Sequence, residues 1–260
     1  MKVVLLAGGY GTRIRDVDEN IPKPMIPIGR FPIIWHIMKY YSFYGHNEFI
    51  LCLGYKGNVI RNFFANYHLY TQDITLDLKN NSKFIFHSKN NEEDWKVTLV
   101  DTGIGTMTGG RLSKIEKYID EENFFINYGD GVGDINLDKL LQFHLNHKKI
   151  LTVTGVRPPG RFGEIRTKDG NTSVKEFNEK PQSESGRISG GFFVANKKIF
   201  EFLSNETTLI FEKEPINNLV KSNELEMFKH DGFWQPMDTG REYRILNELY
   251  ENKNAPWIKW

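Results

Sequence analysis

Residues 5–25 read LLAGGYGTRIRDVDENIPKPM, with three glycines within four positions directly after an apolar run. Because glycine has no Cβ, such a loop can adopt positive φ and bring its backbone N–H groups onto phosphate oxygens. Thr12 can donate and accept a hydrogen bond. Arg13 carries a permanently charged guanidinium group with several N–H donors, and Lys23 carries a compact ammonium charge between two prolines. A loop that only turned the chain would not need two cations, so the stretch indicates an anion-binding loop after a strand.

The loop matches neither of two familiar phosphate-binding patterns. Ile14 stands where G-x-G-x-x-G has its last glycine, and G-x-x-x-x-G-K-[ST] occurs nowhere in the chain. Dinucleotide binding and P-loop ATPase chemistry therefore lose support.

Short apolar runs alternate with helical patterns along the first part of the chain. This alternation predicts an α/β fold, a Rossmann-like doubly wound and mostly parallel (mixed) sheet with helices on both faces. Strands are predicted at 2–7, 48–55, 96–101, 123–130 and 150–156, and helices at 32–45, 58–67, 109–119 and 137–147. From about residue 157, the segments 161–170, 173–181 and 188–196 predict a small antiparallel subdomain. Helices at 197–203, 214–223 and 239–253 and a strand at 224–230 complete a single domain, 1–260, whose core is 1–156 and whose remainder is 157–260.

Composition limits the kinds of partner and compartment. The 34 basic and 33 acidic side chains nearly cancel, and no long run of like charge occurs, so neither a nucleic-acid surface nor an acidic tail is expected. Cys52 is the single cysteine and lies in an apolar run, which favours a buried free thiol in a reducing compartment. No secretory signal or membrane span is visible, so we expect a soluble, cytoplasmic protein.

The combination of LLAGGYGTR and PKPM resembles the signature of the sugar-phosphate nucleotidyltransferases. These enzymes join a nucleoside triphosphate to a sugar 1-phosphate and release pyrophosphate. The blocks GYKG, VTLVDTG, MTGGRL, YGDGV, PPGRFG, EKP, GGFFV, FWQPMDT and APW resemble the branch that makes CDP-glucose from CTP and glucose 1-phosphate. The resemblance implies a homo-oligomer with Mg²⁺ as cofactor. It also implies an early step of CDP-deoxysugar synthesis for a surface polysaccharide such as O-antigen lipopolysaccharide.

Two aspartates are candidate metal ligands. Asp130 follows a hydrophobic strand and precedes Gly131, so it could cap a turn or serve as a hard oxygen ligand. Asp238 precedes Thr-Gly-Arg-Glu and could equally be the N-cap of the last helix. The resemblance implies that both carboxylates bind Mg²⁺.

The remaining site assignments follow from the resemblance. It implies catalytic roles for Arg13, Lys23 and Asp130. Nucleotide-binding positions are Leu6, Ala7, Gly8, Gly9, Gly11, Thr12, Arg13, Thr106, Gly110, Arg111 and Gly129. Sugar-phosphate-binding positions, on the sugar side of the cleft, are Lys23, Gly163, Glu179, Lys180 and Gly191. From the residues alone, Arg111 could be a surface arginine, but a cation beside glycines at a helix start suits a triphosphate.

Other interpretations stay open. A uridylyl- or thymidylyltransferase acting on a hexose 1-phosphate would need the same phosphate machinery, and Ser189 stands where this branch usually has Asn. A non-catalytic relative that binds a sugar nucleotide is a different class of answer, although it would not need the full metal and phosphate set. His144 and His147 lie three positions apart on a predicted helix, but they lack further zinc ligands, so an exposed helix face is expected.

Overall fold

The computed structural model describes residues 1–14, 17–18, 20–79, 83–87, 93–158, 164–167, 174–178 and 186–260. The strands are β1 (Lys2–Leu6), β2 (Pro27–Ile28), β3 (Phe31–Pro32), β4 (Glu48–Leu53), β5 (Ile74–Asp77), β6 (Lys83–Phe86), β7 (Lys96–Asp101), β8 (Asn123–Tyr128), β9 (Gly131–Gly133), β10 (Leu151–Val156), β11 (Glu164–Thr167), β12 (Val174–Asn178), β13 (Ile188–Ser189), β14 (Phe193–Asn196), β15 (Leu225–His230) and β16 (Trp234–Pro236). The helices are α1 (Ile33–Phe43), α2 (Gly57–Ala65), α3 (Tyr67–Thr71), α4 (Thr108–Ser113), α5 (Leu137–His147), α6 (Glu214–Lys221) and α7 (Gly240–Glu251). Short 3₁₀ helices lie at Thr12–Ile14, Lys23–Met25, Glu116–Tyr118 and Lys197–Phe202.

In the described part of the chain, the central sheet contains eight strands. β7, β4, β1 and β8 lie side by side and are parallel. β14 follows, antiparallel to both β8 and β10, and β15 pairs in parallel with β10 at the far side. The predicted mixed, mostly parallel sheet is therefore confirmed.

Both faces of the sheet are covered, as the apolar strands require. Val3 and Leu5 of β1 face one hydrophobic cluster, which includes α1 residues such as Ile34. Val4 and Leu6 face a second cluster, which includes Ile115. Alternate residues of a strand point to opposite faces, so one strand supplies both clusters.

The sequence assigned two segments differently from the structure. Residues 109–119 were expected to form one helix but form α4 and a separate 3₁₀ turn at Glu116–Tyr118, still with buried Leu112 and Ile115. Residues 188–196 were expected in the small antiparallel subdomain. Instead they break into β13 and β14 and join the central sheet, because Gly191 (φ 75°) and Phe192 (φ 41°) interrupt the strand. Only β11 and β12, among the described strands of that region, pair apart from the sheet.

Two buried groups bear on the sequence expectations. Cys52 is a fully buried free thiol, as predicted, and burial raises its pKa to about 12. His144 is buried rather than exposed, with its ring nitrogens 2.9 Å from Thr152 Oγ1 and 3.2 Å from Asn123 Oδ1. The reason is that His144 continues the buried stripe of Leu137 and Leu140 on α5, facing β10.

The described helices include none that combines the length and apolar character needed to cross a membrane.

Candidate active site

A cleft of about 390 Å³ lies where β1, β7 and β8 end. Carboxyl ends of parallel strands meet at one edge of a sheet, and ligands of open α/β folds bind there. The predicted site residues that line the cleft are Leu6, Gly8, Gly9, Gly11, Thr12, Lys23, Thr106, Arg111, Gly129, Asp130 and Asp238. The structure thus brings together residues separated by more than two hundred positions in the sequence.

Other predicted site residues lie elsewhere or are not described. Ala7 is fully buried and its N–H donates to Cys52 O at 3.1 Å. Gly110 packs beneath Glu206 O, and Gly191 packs against Asn127; neither lines the cleft. Gly163, Glu179, Lys180 and the side chain of Arg13 lie outside the described residues.

The glycine loop is open to the cleft. Gly11 has a positive φ of 58°, which suits glycine, and the chain then turns into the 3₁₀ helix Thr12–Ile14. The backbone N–H groups of residues 8–11 donate to no other described residue, whereas Gly8 O accepts from Tyr55 N at 3.2 Å. These amides therefore have no described protein acceptor that an anion in the cleft would have to displace.

Lys23 joins the two candidate metal ligands. Its Nζ lies 2.5 Å from Asp130 Oδ2 and also donates to Asp238 Oδ1. The Lys23 side chain is only 10% exposed. Burial opposes its charged form, but the charges and hydrogen bonds of the two aspartates outweigh that effect and raise its pKa above the ordinary value. An ammonium group thus holds two carboxylates together at the floor of the cleft.

The same geometry tests whether a divalent cation fits. Two carboxylate oxygens converge on one point, and oxygen donors are what Mg²⁺ prefers. Among the described residues, no group of three or more His, Cys, Asp or Glu side chains converges in this way. The pair fits a cation that takes its remaining ligands from substrate phosphates and water, which is the usual arrangement for Mg²⁺ at nucleotide sites.

Asp238 lines the cleft, and a different residue caps α7. Thr239 is the N-cap, and its side chain forms a capping box with Glu242. The buried Glu242 carboxylate accepts from Asp238 N at 2.7 Å and from Thr239 N at 3.0 Å. The N-cap interpretation of Asp238 is therefore wrong, and Glu242 fixes the backbone from which the Asp238 carboxylate projects.

Replacing Glu242 by alanine is expected to destabilise the protein by about 1–2 kcal/mol, since two N–H groups at the start of α7 lose their acceptor. Urea unfolding monitored by circular dichroism measures the change. Glu248→Ala removes an exposed glutamate from the same helix and should change stability by no more than about 0.5 kcal/mol. Equal effects of the two variants would show that the capping box contributes nothing.

Arg111 lies at the back of the cleft and is 4% exposed. Nη1 donates to Leu53 O, Thr102 Oγ1 and Gly103 O at 2.9, 2.5 and 2.9 Å. Nη2 donates to Gly8 O and Ile104 O at 2.9 and 3.3 Å. Burial lowers the pKa of the guanidinium, although arginine stays charged at neutral pH. In this structure the side chain connects the glycine loop to the ends of β4 and β7 through neutral oxygen atoms.

Backbone N–H groups at the start of α4, beside Arg111, also have hydrogen-bond acceptors within the protein. The N–H of Met107 donates to Thr207 O at 2.7 Å, and those of Gly109 and Gly110 donate to Leu209 O at 3.0 and 3.2 Å. The sequence suggested that this helix N-terminus would suit a triphosphate. Here its first donors instead hold a distant segment, whose sequence gave no signal of that contact.

Sequence reasoning missed several residues around the cleft. Lys114, one turn after Arg111, donates to Thr102 O at 2.7 Å and so holds the loop after β7. Tyr128 lines the cleft and donates to Glu212, which no motif singled out. A search for charged residues next to the helix start would have found Lys114, but nothing local to Glu212 reveals its partner 84 positions away.

Comparison with known proteins identifies the family. The nucleotidyl transferase family matches residues 2–252. The glucose-1-phosphate cytidylyltransferase of Salmonella typhimurium is 46% identical over 261 residues, covering 100% of both chains. The D-glycero-alpha-D-manno-heptose 1-phosphate guanylyltransferase of Aneurinibacillus thermoaerophilus is 29% identical, covering 94% of this chain and 96% of that protein.

A solved structure agrees with the sequence comparison. The crystal structure of HddC from Yersinia pseudotuberculosis superposes with a TM-score of 0.68 at 25% identity, covering 96% of this chain and 99% of that chain. The match of family and fold extends over nearly the whole length of the chain. The chain therefore belongs to the nucleotidyl transferase family.

Proposed function

We propose that this protein transfers a cytidylyl group from CTP to α-D-glucose 1-phosphate, giving CDP-glucose and pyrophosphate. The observation that carries the proposal is the end-to-end match, at 46% identity, to the Salmonella glucose-1-phosphate cytidylyltransferase. The guanylyltransferase relative is much less similar, at 29%. The cleft supports the same reaction, because free loop amides, a buried lysine and two convergent carboxylates lie together in it.

The reaction depends mainly on positioning the two substrates and on stabilising the charge of their phosphate groups. The nucleophile is an anionic phosphate oxygen of the sugar phosphate, which needs little general-base assistance. It attacks the α-phosphorus in line, the bond to the bridging oxygen breaks, and pyrophosphate leaves with the electron pair. Loop amides of residues 8–11 would bind the triphosphate, while Lys23 and Arg13 stabilise the charge that develops on the phosphates.

Asp130 and Asp238 would hold Mg²⁺, which when bound supplies neutralisation of phosphate charge and a fixed template for the two substrates. For that to happen, the Lys23 ammonium must leave the point between the carboxylates. Lys23 would then be freed toward a phosphate group in the same cleft.

Several finer expectations rest on the resemblance and belong to the same proposal. The nucleotide would occupy the part built mainly from residues 1–156, and the sugar phosphate would contact the part from 157–260. We propose a cytoplasmic, oligomeric enzyme whose product feeds deoxysugar synthesis for a surface polysaccharide.

The test is pyrophosphate release with Mg²⁺ and glucose 1-phosphate, offering CTP, UTP, dTTP, ATP and GTP in separate reactions. Release with CTP alone supports the proposal, and mass spectrometry of the product then confirms CDP-glucose. Release with UTP or dTTP instead would keep the mechanism and overturn the base assignment. An Asp130→Asn variant purified in parallel excludes contaminating activity. Absence of release with all five would require the assay to be repeated with other sugar 1-phosphates, and absence of release with those as well would favour a sugar-nucleotide-binding protein without catalysis.

A further inference from the structure

Two walls of the cleft are joined by one carboxylate that does not itself line it. Glu212 Oε2 accepts from Thr108 Oγ1 at 2.6 Å, and Glu212 Oε1 accepts from the hydroxyl of Tyr128. Both Thr108 and Tyr128 line the cleft. We call this arrangement of Tyr128, Glu212 and Thr108 the carboxylate bridge.

Each end of the bridge continues directly into site residues. Tyr128 is the last residue of β8 and is followed by Gly129 and Asp130. Thr108 is the first residue of α4, directly after the loop of residues 104–107, which lines the opposite part of the cleft. A change in the separation of Thr108 and Tyr128 would therefore change the separation of the aspartate and the loop.

The position of Glu212 is fixed by its own backbone neighbours. Phe211 N donates to Thr108 Oγ1 at 2.9 Å, and Thr207 and Leu209 carbonyls accept from the first N–H groups of α4. Ser113 Oγ donates to Asn205 Oδ1 at 2.5 Å at the other end of α4. The segment of residues 205–212 is thus bound to α4 along its length, and Glu212 also joins it to Tyr128 at the end of β8.

The Tyr128 hydroxyl depends on this partner. The hydroxyl donates to Glu212 Oε1, which is the acceptor that the structure gives it. Its ring packs edge-on against Phe193, with centroids 5.8 Å apart. Tyr128 is half-buried, and without Glu212 its hydroxyl would lose this charged acceptor, which contributes more than a neutral one. The side chain would then turn toward water and disturb the end of β8.

We propose that Glu212 is a positioning residue of the nucleotide site, which acts through Tyr128 and Thr108 to hold the two walls of the cleft at the separation that binds the nucleoside triphosphate. The proposal rests on the proposed nucleotidyl transfer, and deepens it. The carboxylate need not touch the substrate. Its charge faces two hydroxyl donors and is exposed to solvent, so its repulsion of the phosphates is screened.

The experiment compares Glu212→Ala, Glu212→Gln and the matched control Glu201→Ala, which removes an exposed glutamate that does not line the cleft. Calorimetry measures CTP binding with Mg²⁺ in the absence of sugar phosphate, and thermal unfolding is recorded for each variant. We expect Glu212→Ala to weaken binding about tenfold, the scale of one hydrogen bond to a charged group. Glu212→Gln, whose amide can bond to both hydroxyls, should recover most of the affinity, and Glu201→Ala should bind like wild type.

A Tyr128→Phe background separates positioning from general stabilisation. In that background Glu212→Ala should weaken CTP binding less than it does in the wild type, because part of its effect passes through the tyrosine hydroxyl. If Glu212→Ala lowers the melting temperature but leaves CTP affinity unchanged, the role is merely structural and the proposal is wrong. Equal losses of CTP affinity in the alanine and glutamine variants would also overturn it, since the hydrogen bonds of the carboxylate bridge would then not account for the affinity.

The outcomes also separate this proposal from the proposed function. If wild type binds another nucleoside triphosphate instead of CTP, the base assignment fails, and the same variants compared with that nucleotide decide the role of Glu212. If wild type binds none of the five, both proposals fail together.

Discussion

Replacing Lys23 by methionine is expected to reduce the rate of pyrophosphate release by at least about a hundredfold, while the affinity for Mn²⁺ in the absence of nucleotide rises. Removing one preorganised cation from a site that stabilises developing phosphate charge costs about 10²–10³ in turnover. The affinity for Mn²⁺ is expected to rise, because Lys23 occupies the point on which Asp130 and Asp238 converge. Without the ammonium, a divalent cation no longer has to displace a charged competitor.

Titration of Mn²⁺ followed by electron paramagnetic resonance measures metal affinity, and a coupled pyrophosphate assay measures turnover. Asp130→Asn provides the contrast, since both turnover and metal affinity should fall. Lys39→Met is the matched control: it removes a lysine from an ion pair with Glu93, at 2.6 and 2.7 Å, away from the cleft. Wild-type turnover in the Lys23 variant would refute its catalytic role, and reduced Mn²⁺ affinity would refute the two-carboxylate site.

The parts of the fold that sequence could predict are those with a local physical signature. Apolar runs ending in glycine or aspartate marked β1 and β8, and in a parallel sheet their carboxyl ends must meet at one edge. The structure brings the glycine loop and Asp130 into one cleft at that edge. The hairpin of β5 and β6 was not predicted, since its strands have only four residues each and stand among polar positions.

Other features depended on contacts that no local pattern encodes. His144 was expected to be exposed, although its spacing from Leu137 and Leu140 placed it on the buried stripe of α5. Here the apolar periodicity outweighed the polarity of a single residue. The N-cap of α7 is Thr239 and not Asp238, because Glu242 lies three positions after Thr239 and completes a capping box with it. The carboxylate of Glu212 is invisible from sequence, since its partners come from α4 and β8.

Replacing Gly8 by alanine is expected to destabilise the protein by about 1–3 kcal/mol, the range for overpacking a filled site. A Cβ at Gly8 would lie 2.9 Å from Arg111 Nε and closer still to Cζ and Nη1. Gly54 meets the same obstacle, since its Cβ would lie 2.5 Å from Nη1. The two glycines therefore leave the space that the buried guanidinium occupies. This reason is separate from any need for a phosphate to approach the loop.

A double-mutant cycle decides between the two reasons. Gly8→Ala should cost much less in an Arg111→Ala background, where the obstructing guanidinium is gone, giving a coupling of about 1–2 kcal/mol in urea unfolding. Gly9→Ala is the control, because no heavy atom lies within 4 Å of its Cβ position, and its cost should stay within about 0.5 kcal/mol. If the cost of Gly8→Ala is the same in both backgrounds, the guanidinium is not what requires glycine there. If Gly8→Ala instead lowers CTP affinity and leaves stability unchanged, the bound nucleotide is what requires glycine at this position.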